Sequence, residues 1–219
     1  MINMSSLIHA KDEQEFEDRF QKLMKYPNGT WKNLPGIQDP EKLQQFEYHE
    51  TNKQSLVILK HGVNIKSTND LSKIHRMLFH NVYPWAGQFR TYNISKNGTD
   101  FLPSEMFGNG VQDIEAVLAR CDKKAKLDPK DYAELLDKLN YLHPFPEGNG
   151  RSTKIFLQCL AQNHGQQLNY ERKQDTMIQC LNQADIDGIA KQLHVTNLGE
   201  SPTAKNSKQK DQSDDLSLC

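Results

Sequence analysis

His143-Pro144-Phe145-Pro146-Glu147-Gly148-Asn149-Gly150-Arg151-Ser152-Thr153-Lys154 is the stretch around which this chain organises. On its N-terminal side, Tyr132, Leu135, Leu136, Leu139 and Leu142 recur at helical spacing behind Asp128-Pro129, an N-cap followed by a proline at the first helical position. On its C-terminal side, Ile155, Phe156, Cys159 and Leu160 resume a 3-4 spacing, so a second helix begins near Asn149. The prolines and glycines between them force a tight loop. A glycine-rich turn that enters a helix presents unpaired backbone N–H groups and the positive end of the helix dipole, and phosphate is the usual guest there. Arg151 can fork onto phosphate oxygens, and Lys154, one turn further on, adds a second positive charge. Glu147 at the mouth is a hard-oxygen ligand suited to Mg²⁺, and His143 carries an imidazole able to accept a proton near neutral pH. Taken singly, each has an ordinary structural reading: a histidine as helix cap, Phe145 as core, a glycine turn as a connection. Taken together and in this order, they describe phosphoryl or nucleotidyl transfer, or hydrolysis of a phosphate ester.

Working outward, Asp39-Pro40-Glu41 repeats the cap-plus-proline start and predicts a helix running to about Lys60, ended by Gly62. Phe16, Phe20 and Leu23 mark a charged helix over 11–26, and Leu71, Ile74 and Leu78 mark another. Ser104 opens a further one through Phe107, Val111, Ile114, Leu118 and Cys121. Between Trp85 and Phe101 the pattern changes to β-favouring types, and Asn97-Gly98 is a strong turn signal, so a two-stranded hairpin is predicted at about 89–101. Such a hairpin must lean on the helices, and its exposed edge is free to pair. Residues 201–219 are Ser-, Lys-, Asp- and Gln-rich and read as a disordered tail. The expected division is a helical extension at 1–25, one domain at 26–200 and the tail.

The chain has 219 residues, enough for a full core without staples. With 27 basic and 28 acidic side chains the net charge is -1, which argues against a dedicated nucleic-acid binder. No apolar run approaches the length needed to span a bilayer, and the first residues lack the apolar stretch of a signal peptide. Cys121, Cys159 and Cys180 sit in apolar helical stretches with no metal spacing, and Cys219 ends the chain, as expected of core thiols in a reducing compartment. A soluble, cytoplasmic protein without direct nucleic-acid or membrane binding is expected.

The quoted segment resembles the active-site motif of the Fic family, HxFx(D/E)GNGRxxR: His143, Phe145, Glu147, Gly148, Asn149, Gly150 and Arg151 match, and Lys154 stands where the family pattern has arginine. Tyr83 to Arg90 resembles the stretch before the family's flap, Asn93-Ile94-Ser95-Lys96-Asn97-Gly98 resembles the flap itself, and Tyr26-Pro27 with Thr30, Lys32 and Asn33 resembles its N-terminal turn. The resemblance covers roughly residues 26 to 195. It implies an all-α fold, a helical bundle with one β-hairpin flap beside the active-site loop. It implies a protein adenylyltransferase that moves AMP from ATP to a Ser, Thr or Tyr hydroxyl of a target protein.

On that resemblance, His143 would take the hydroxyl proton and Glu147 would hold Mg²⁺ against the phosphates. The N–H groups of Gly148, Asn149 and Gly150 would cradle the phosphates, Arg151 would bind near the β-phosphate, and Lys154, Lys96 and Asn97 would complete the nucleotide contacts. Phe145 would pack inward. The flap, with Ile94, Ser95, Gly98 and Thr99, would dock the target by strand addition. Lys154 keeps the charge of the family's arginine and loses its fork, so reduced activity is expected. The family's inhibitory (S/T)xxxE(G/N) helix finds only a partial match in Thr196-Asn197-Leu198-Gly199-Glu200, whose Gly199 is poor in a helix. A toxin restrained in trans by a small antitoxin carrying an SxxxEG-type motif is the expectation, with Lys154 as partner of its glutamate and type II topoisomerase subunits as the first target. A host-delivered effector is the other setting. A Fic-type kinase or phosphocholine transferase and a non-catalytic scaffold are the alternatives.

Overall fold

The structure, a computed structural model, describes residues 7, 9–96 and 98–199. Among these, eight α-helices dominate: α1 (Glu13–Met24), α2 (Pro40–His61), α3 (Thr68–Phe79), α4 (Phe107–Cys121), α5 (Pro129–Leu142), α6 (Asn149–Asn163), α7 (Asp175–Asn182) and α8 (Ile186–Lys191). Four short strands form two antiparallel ladders: β1 (Ser95–Lys96) with β2 (Thr99–Asp100), and β3 (Gln166–Asn169) with β4 (His194–Asn197). The helical bundle with its single flap hairpin is therefore present, and the β3–β4 ladder is an addition.

The helix ends follow from local chemistry. Asp39 accepts hydrogen bonds from the N–H groups of Glu41 and Lys42, Pro40 begins α2, and Gly62 at φ 72° ends it. Asp128 caps α5 through Lys130 and Asp131, and Asp131 returns the bond to the Asp128 N–H at 3.0 Å. A reciprocal cap of this kind is worth about 1 kcal/mol. The Ser104 start resolves into a 3-10 turn at Ser104–Met106, with α4 beginning at Phe107.

α6 lies centrally, packed on α2, α3, α5 and β3. Its Ile155, Phe156, Leu157, Cys159 and Leu160 are buried, as are Leu71, Ile74 and Leu78 of α3 and Leu135, Leu139 and Leu142 of α5. Each such side chain contributes about 1.5–3 kcal/mol by burial. The loop from Leu142 to Asn149 thus hangs between two helices fixed by the core. Cys121 and Cys159 are buried and Cys180 is half-buried; Cys219 and the tail at 201–219 lie outside the described residues. Among the described residues no helix is long and apolar enough to cross a membrane.

One expectation needs correction. The hairpin is shorter than 89–101, because the backbone before it is engaged elsewhere: the Arg90 N–H donates to Pro144 O at 2.7 Å, and Asn93 Oδ1 accepts from the Ser104 N–H at 2.8 Å. The partial match at 196–200 is not helical over its described residues, in line with its poor helix composition: Thr196 and Asn197 pair in β4, Leu198-Gly199 is a turn, and Glu200 lies outside the described residues.

Candidate functional site

α5 ends by turning His143 into the left-handed region, φ 39° and ψ 58°, an unusual conformation for a side chain other than glycine. Three contacts hold it there. The Arg90 Nε donates to its carbonyl at 2.9 Å, its ring stacks on Phe101 with centroids 3.7 Å apart, and Nδ1 faces Asn140 O at 3.1 Å. A carbonyl can only accept, so Nδ1 carries the proton and Nε2 keeps the lone pair. Burial, with repulsion from Arg90 and Lys96, outweighs the Asn140 bond and holds this imidazole down at about 4. At neutral pH it is an uncharged proton acceptor.

The loop then dives into the core. Phe145 is fully buried, and the Asn149 side chain clasps it from both sides: Oδ1 accepts from the Phe145 N–H at 2.9 Å and Nδ2 donates to its carbonyl at 2.7 Å. His75 of α3 stacks on Phe145 with centroids 3.8 Å apart and on Phe79 at 4.6 Å. Its Nε2 donates to the Glu147 carbonyl at 3.0 Å, and its Nδ1 accepts from the Gly87 N–H at 2.8 Å. Both ring nitrogens are engaged in one neutral tautomer, and burial pushes this imidazole down to about 3.

Gly148 caps α6 at φ 85°, and a Cβ there would stand 2.4 Å from Phe79 Cζ. Only glycine lets the loop pass this close to the core. The first bond at this end of α6 runs from Ser152 N–H to Gly148 O at 3.0 Å. The N–H groups of Asn149, Gly150 and Arg151 therefore point outward with no intrahelical acceptor, an anion cradle at the positive end of the dipole. The Glu147 carboxylate is 42% exposed, and its Oε1 accepts from the Gly148 N–H at 2.9 Å. The second oxygen is left for a cation. Among the described residues no group of three or more His, Cys, Asp or Glu could hold a metal. One exposed carboxylate beside N–H groups able to take phosphate would suit Mg²⁺, which takes few protein ligands and draws the rest from phosphate and water.

The cations are distributed unevenly. Arg151 Nη2 pairs with Glu47 of α2 at 2.5 Å and lies 3.5 Å from Glu147 Oε1. Glu47 also accepts from the Tyr83 hydroxyl. Lys154 turns its ammonium to the Tyr170 carbonyl at 2.8 Å and sits 5.2 Å from that ring's centre. Burial and the neighbouring Arg172 hold it below the ordinary lysine value. Arg172, in the turn after β3, places Nη1 3.0 Å from where a Cβ on Gly150 would be.

The flap rises beside His143. Lys96 pairs with Thr99 and Ser95 with Asp100; Ser95, Lys96 and Gly98 are exposed, Ile94 and Thr99 are half-buried, and Asn97 lies outside the described residues. Its root is tied by Arg90, which is 1% exposed and donates to Tyr92 O at 2.5 Å, Leu102 O at 2.7 Å and Leu142 O at 3.4 Å besides His143 O. His143, Glu147 and Gly148 thus sit in one loop that runs into Asn149, Gly150 and Arg151 at the start of α6, and the flap that carries Lys96 stands beside it through the Phe101–His143 stack. The sequence pattern gave no role to His75, Glu47, Arg90 or Arg172. A histidine inside the apolar stripe of α3 reads as core, and Arg172 in Glu171-Arg172-Lys173 reads as a solvated run.

The Fic/DOC family model matches residues 66–161. Among curated proteins, the chain is 32% identical over 146 residues to the Probable protein adenylyltransferase Fic of Escherichia coli K12, covering 64% of this chain and 72% of that protein. It is 32% identical over 149 residues to the Protein adenylyltransferase VbhT of Bartonella schoenbuchensis, covering 66% of this chain. The chain spans about a third of the length of the first curated relatives it matches, 31% and 30%. Among solved structures, the Bartonella tribocorum BepC protein with bound AMPPNP superposes with a TM-score of 0.67 at 22% identity, covering 81% of this chain and 98% of that one. That likeness speaks to the fold. With the loop, the flap and the extent of the match to the E. coli relative, the chain belongs to the Fic/DOC family.

Proposed function

We propose that this chain is a protein adenylyltransferase that moves AMP from ATP to a hydroxyl of a target protein. The observation that carries this reading is the His143 ring. Its Nδ1 proton is fixed by Asn140 O, and its free Nε2 sits one short loop from the outward N–H groups of α6. The target hydroxyl would give its proton to Nε2 as its oxygen forms a bond to the α-phosphorus, and the bond from that phosphorus to pyrophosphate would break. The N–H groups of Asn149, Gly150 and Arg151 would hold phosphate oxygens, with Arg151 steadied by Glu47. Glu147 would hold Mg²⁺ through its free oxygen; when bound, that ion would neutralise charge on the phosphates. The exposed edge of β1–β2 would add the target as a strand, bringing its hydroxyl to His143.

The setting belongs to the same proposal. A toxin restrained by a separate SxxxEG protein, acting first on type II topoisomerase subunits, is supported by the resemblance of the Tyr26–Asn33 turn, which here closes through Tyr26 N–H to Thr30 O at 2.8 Å.

Incubation of the full chain with Mg²⁺, lysate and ATP labelled at either the α- or the γ-phosphate tests the reading. Label on protein from the α-phosphate alone is expected. Label from the γ-phosphate would make the chain a kinase, and none from either would leave a scaffold.

A further inference from the structure

Three cations converge on the N-terminus of α6, and two of them already have partners. Arg151 is paired with Glu47 at 2.5 Å, and the Lys154 ammonium is bonded to the Tyr170 carbonyl at 2.8 Å. Arg172 has neither a hydrogen bond nor an ion pair among the described residues. Arg172 is nevertheless half-buried, with Nη1 against Gly150. Burial, helped by repulsion from Arg151, holds it below the ordinary arginine value. A half-buried guanidinium beside like charges, with no acid bonded to it among the described residues, is a ready partner for an anion. Of the acids near this cluster, Glu171 acts on Lys154, but it is exposed and bonds none of the three cations.

The position along the cradle says which anion. His143 stands at the end of α5 against Asn140 O and Phe101, ahead of the loop, whereas Arg172 stands against Gly150 in the first turn of α6, beyond it. If the phosphorus under attack lies beside His143, the far end carries the group that leaves.

We propose that Arg172 binds the pyrophosphate end of the nucleotide, gripping the leaving group with the fork that Lys154 does not supply. This inference rests on the transfer reading above. In it Lys154 is a positioning residue: by bonding the Tyr170 carbonyl, two residues before Arg172, it holds the turn that aims the guanidinium at Gly150. The geometry thereby accounts for a lysine at this motif position, since a bidentate contact is made from the neighbouring turn instead.

The test is calorimetric titration of the full chain with ATP, AMP and inorganic pyrophosphate, each with Mg²⁺, in the wild type, Arg172→Gln and Arg172→Lys. Arg172→Gln should weaken ATP and pyrophosphate by about tenfold, the usual scale of a charged hydrogen-bonded contact. AMP should change by less than about twofold, which also reports that the variant is folded. Arg172→Lys, which keeps charge without the fork, should fall between. An equal loss for all three ligands, or no loss, overturns the assignment. AMP transfer from α-labelled ATP, followed in parallel, separates this inference from its parent. Absent transfer with the binding pattern intact sinks the transfer reading and leaves Arg172 assigned. Transfer without the pattern sinks Arg172 alone, and a wild type that binds neither ATP nor pyrophosphate sinks both.

Discussion

Arg90 Nε donates to the His143 carbonyl at 2.9 Å, so the residue at the root of the flap fixes the backbone of the residue that carries the loop's imidazole. The same guanidinium holds the carbonyls of Tyr92 and Leu102, which flank the flap, and of Leu142, the last residue of α5. Its face lies 4.7 Å from the Phe107 ring centre. One buried side chain thereby joins hairpin, helix end and loop, and the left-handed turn at His143 depends on that junction.

Arg90→Gln should therefore cost both stability and activity. Buried carbonyls that lose their donor cost about 1–3 kcal/mol each, with partial relief from water, so a net loss of about 3 kcal/mol is expected in denaturant unfolding. Arg90→Lys keeps some of the donors and should lose about half as much. A change within about 0.5 kcal/mol for Arg90→Gln would mean that the turn at His143 holds itself.

His143→Ala separates chemistry from binding. The Nε2 lone pair has no partner among the described residues, while the outward N–H groups proposed to hold phosphate belong to α6. Transfer from α-labelled ATP should fall by at least about a hundredfold, the usual contribution of a positioned base. ATP affinity should stay within about threefold, less than one hydrogen bond's worth. Parallel loss of affinity would make the ring a structural prop under Phe101.

The helices and the loop were legible because their signals are local. Asp39, Asp128 and the prolines that follow cap helices by contacts within four residues, and Gly148 sits at a positive φ that its sequence context announces. The β3–β4 ladder was not legible, because Gln166 to Asn169 carries few strand-favouring types. What holds Gln166 is tertiary: its amide exchanges two 2.9 Å bonds with the backbone of Leu127 and accepts from Tyr132. The same holds at the site. Glu47 and Arg151 are far apart in sequence and meet only across the packing of α2 on α6, and no spacing rule links Arg172 to Gly150.

Gly148→Ala tests how closely the loop and core are fitted. The left-handed φ costs a side-chain-bearing residue about 1–2 kcal/mol, and a methyl driven into the Phe79 ring adds about 1–3 more. A loss of about 3 kcal/mol is expected. If the clash is the larger part, Phe79→Leu should be less damaging in the Gly148→Ala background than alone; strict additivity would rule that out.

Acid should destabilise the fold through two histidines. Unfolded, each titrates near ~6.5. Folded, burial holds His75 at about 3 and His143 at about 4, with Arg151 repelling the first and Arg90 and Lys96 the second. Between those values the unfolded chain binds protons that the folded chain refuses, so stability is complete above pH ~6.5 and falls as pH drops. Each histidine contributes a slope of about 1.4 kcal/mol per pH unit, both down to about pH 4 and His75 alone below that. The structural reason is plain at His75: a proton on Nδ1 would oppose the Gly87 N–H at 2.8 Å and break the ring's grip between α3 and the loop. Unfolding free energies measured at pH 7, 6 and 5 should show the decline, and His143→Ala should reduce its slope by about half. A flat profile over that range, where most carboxylates remain ionised, would mean that neither ring is held neutral.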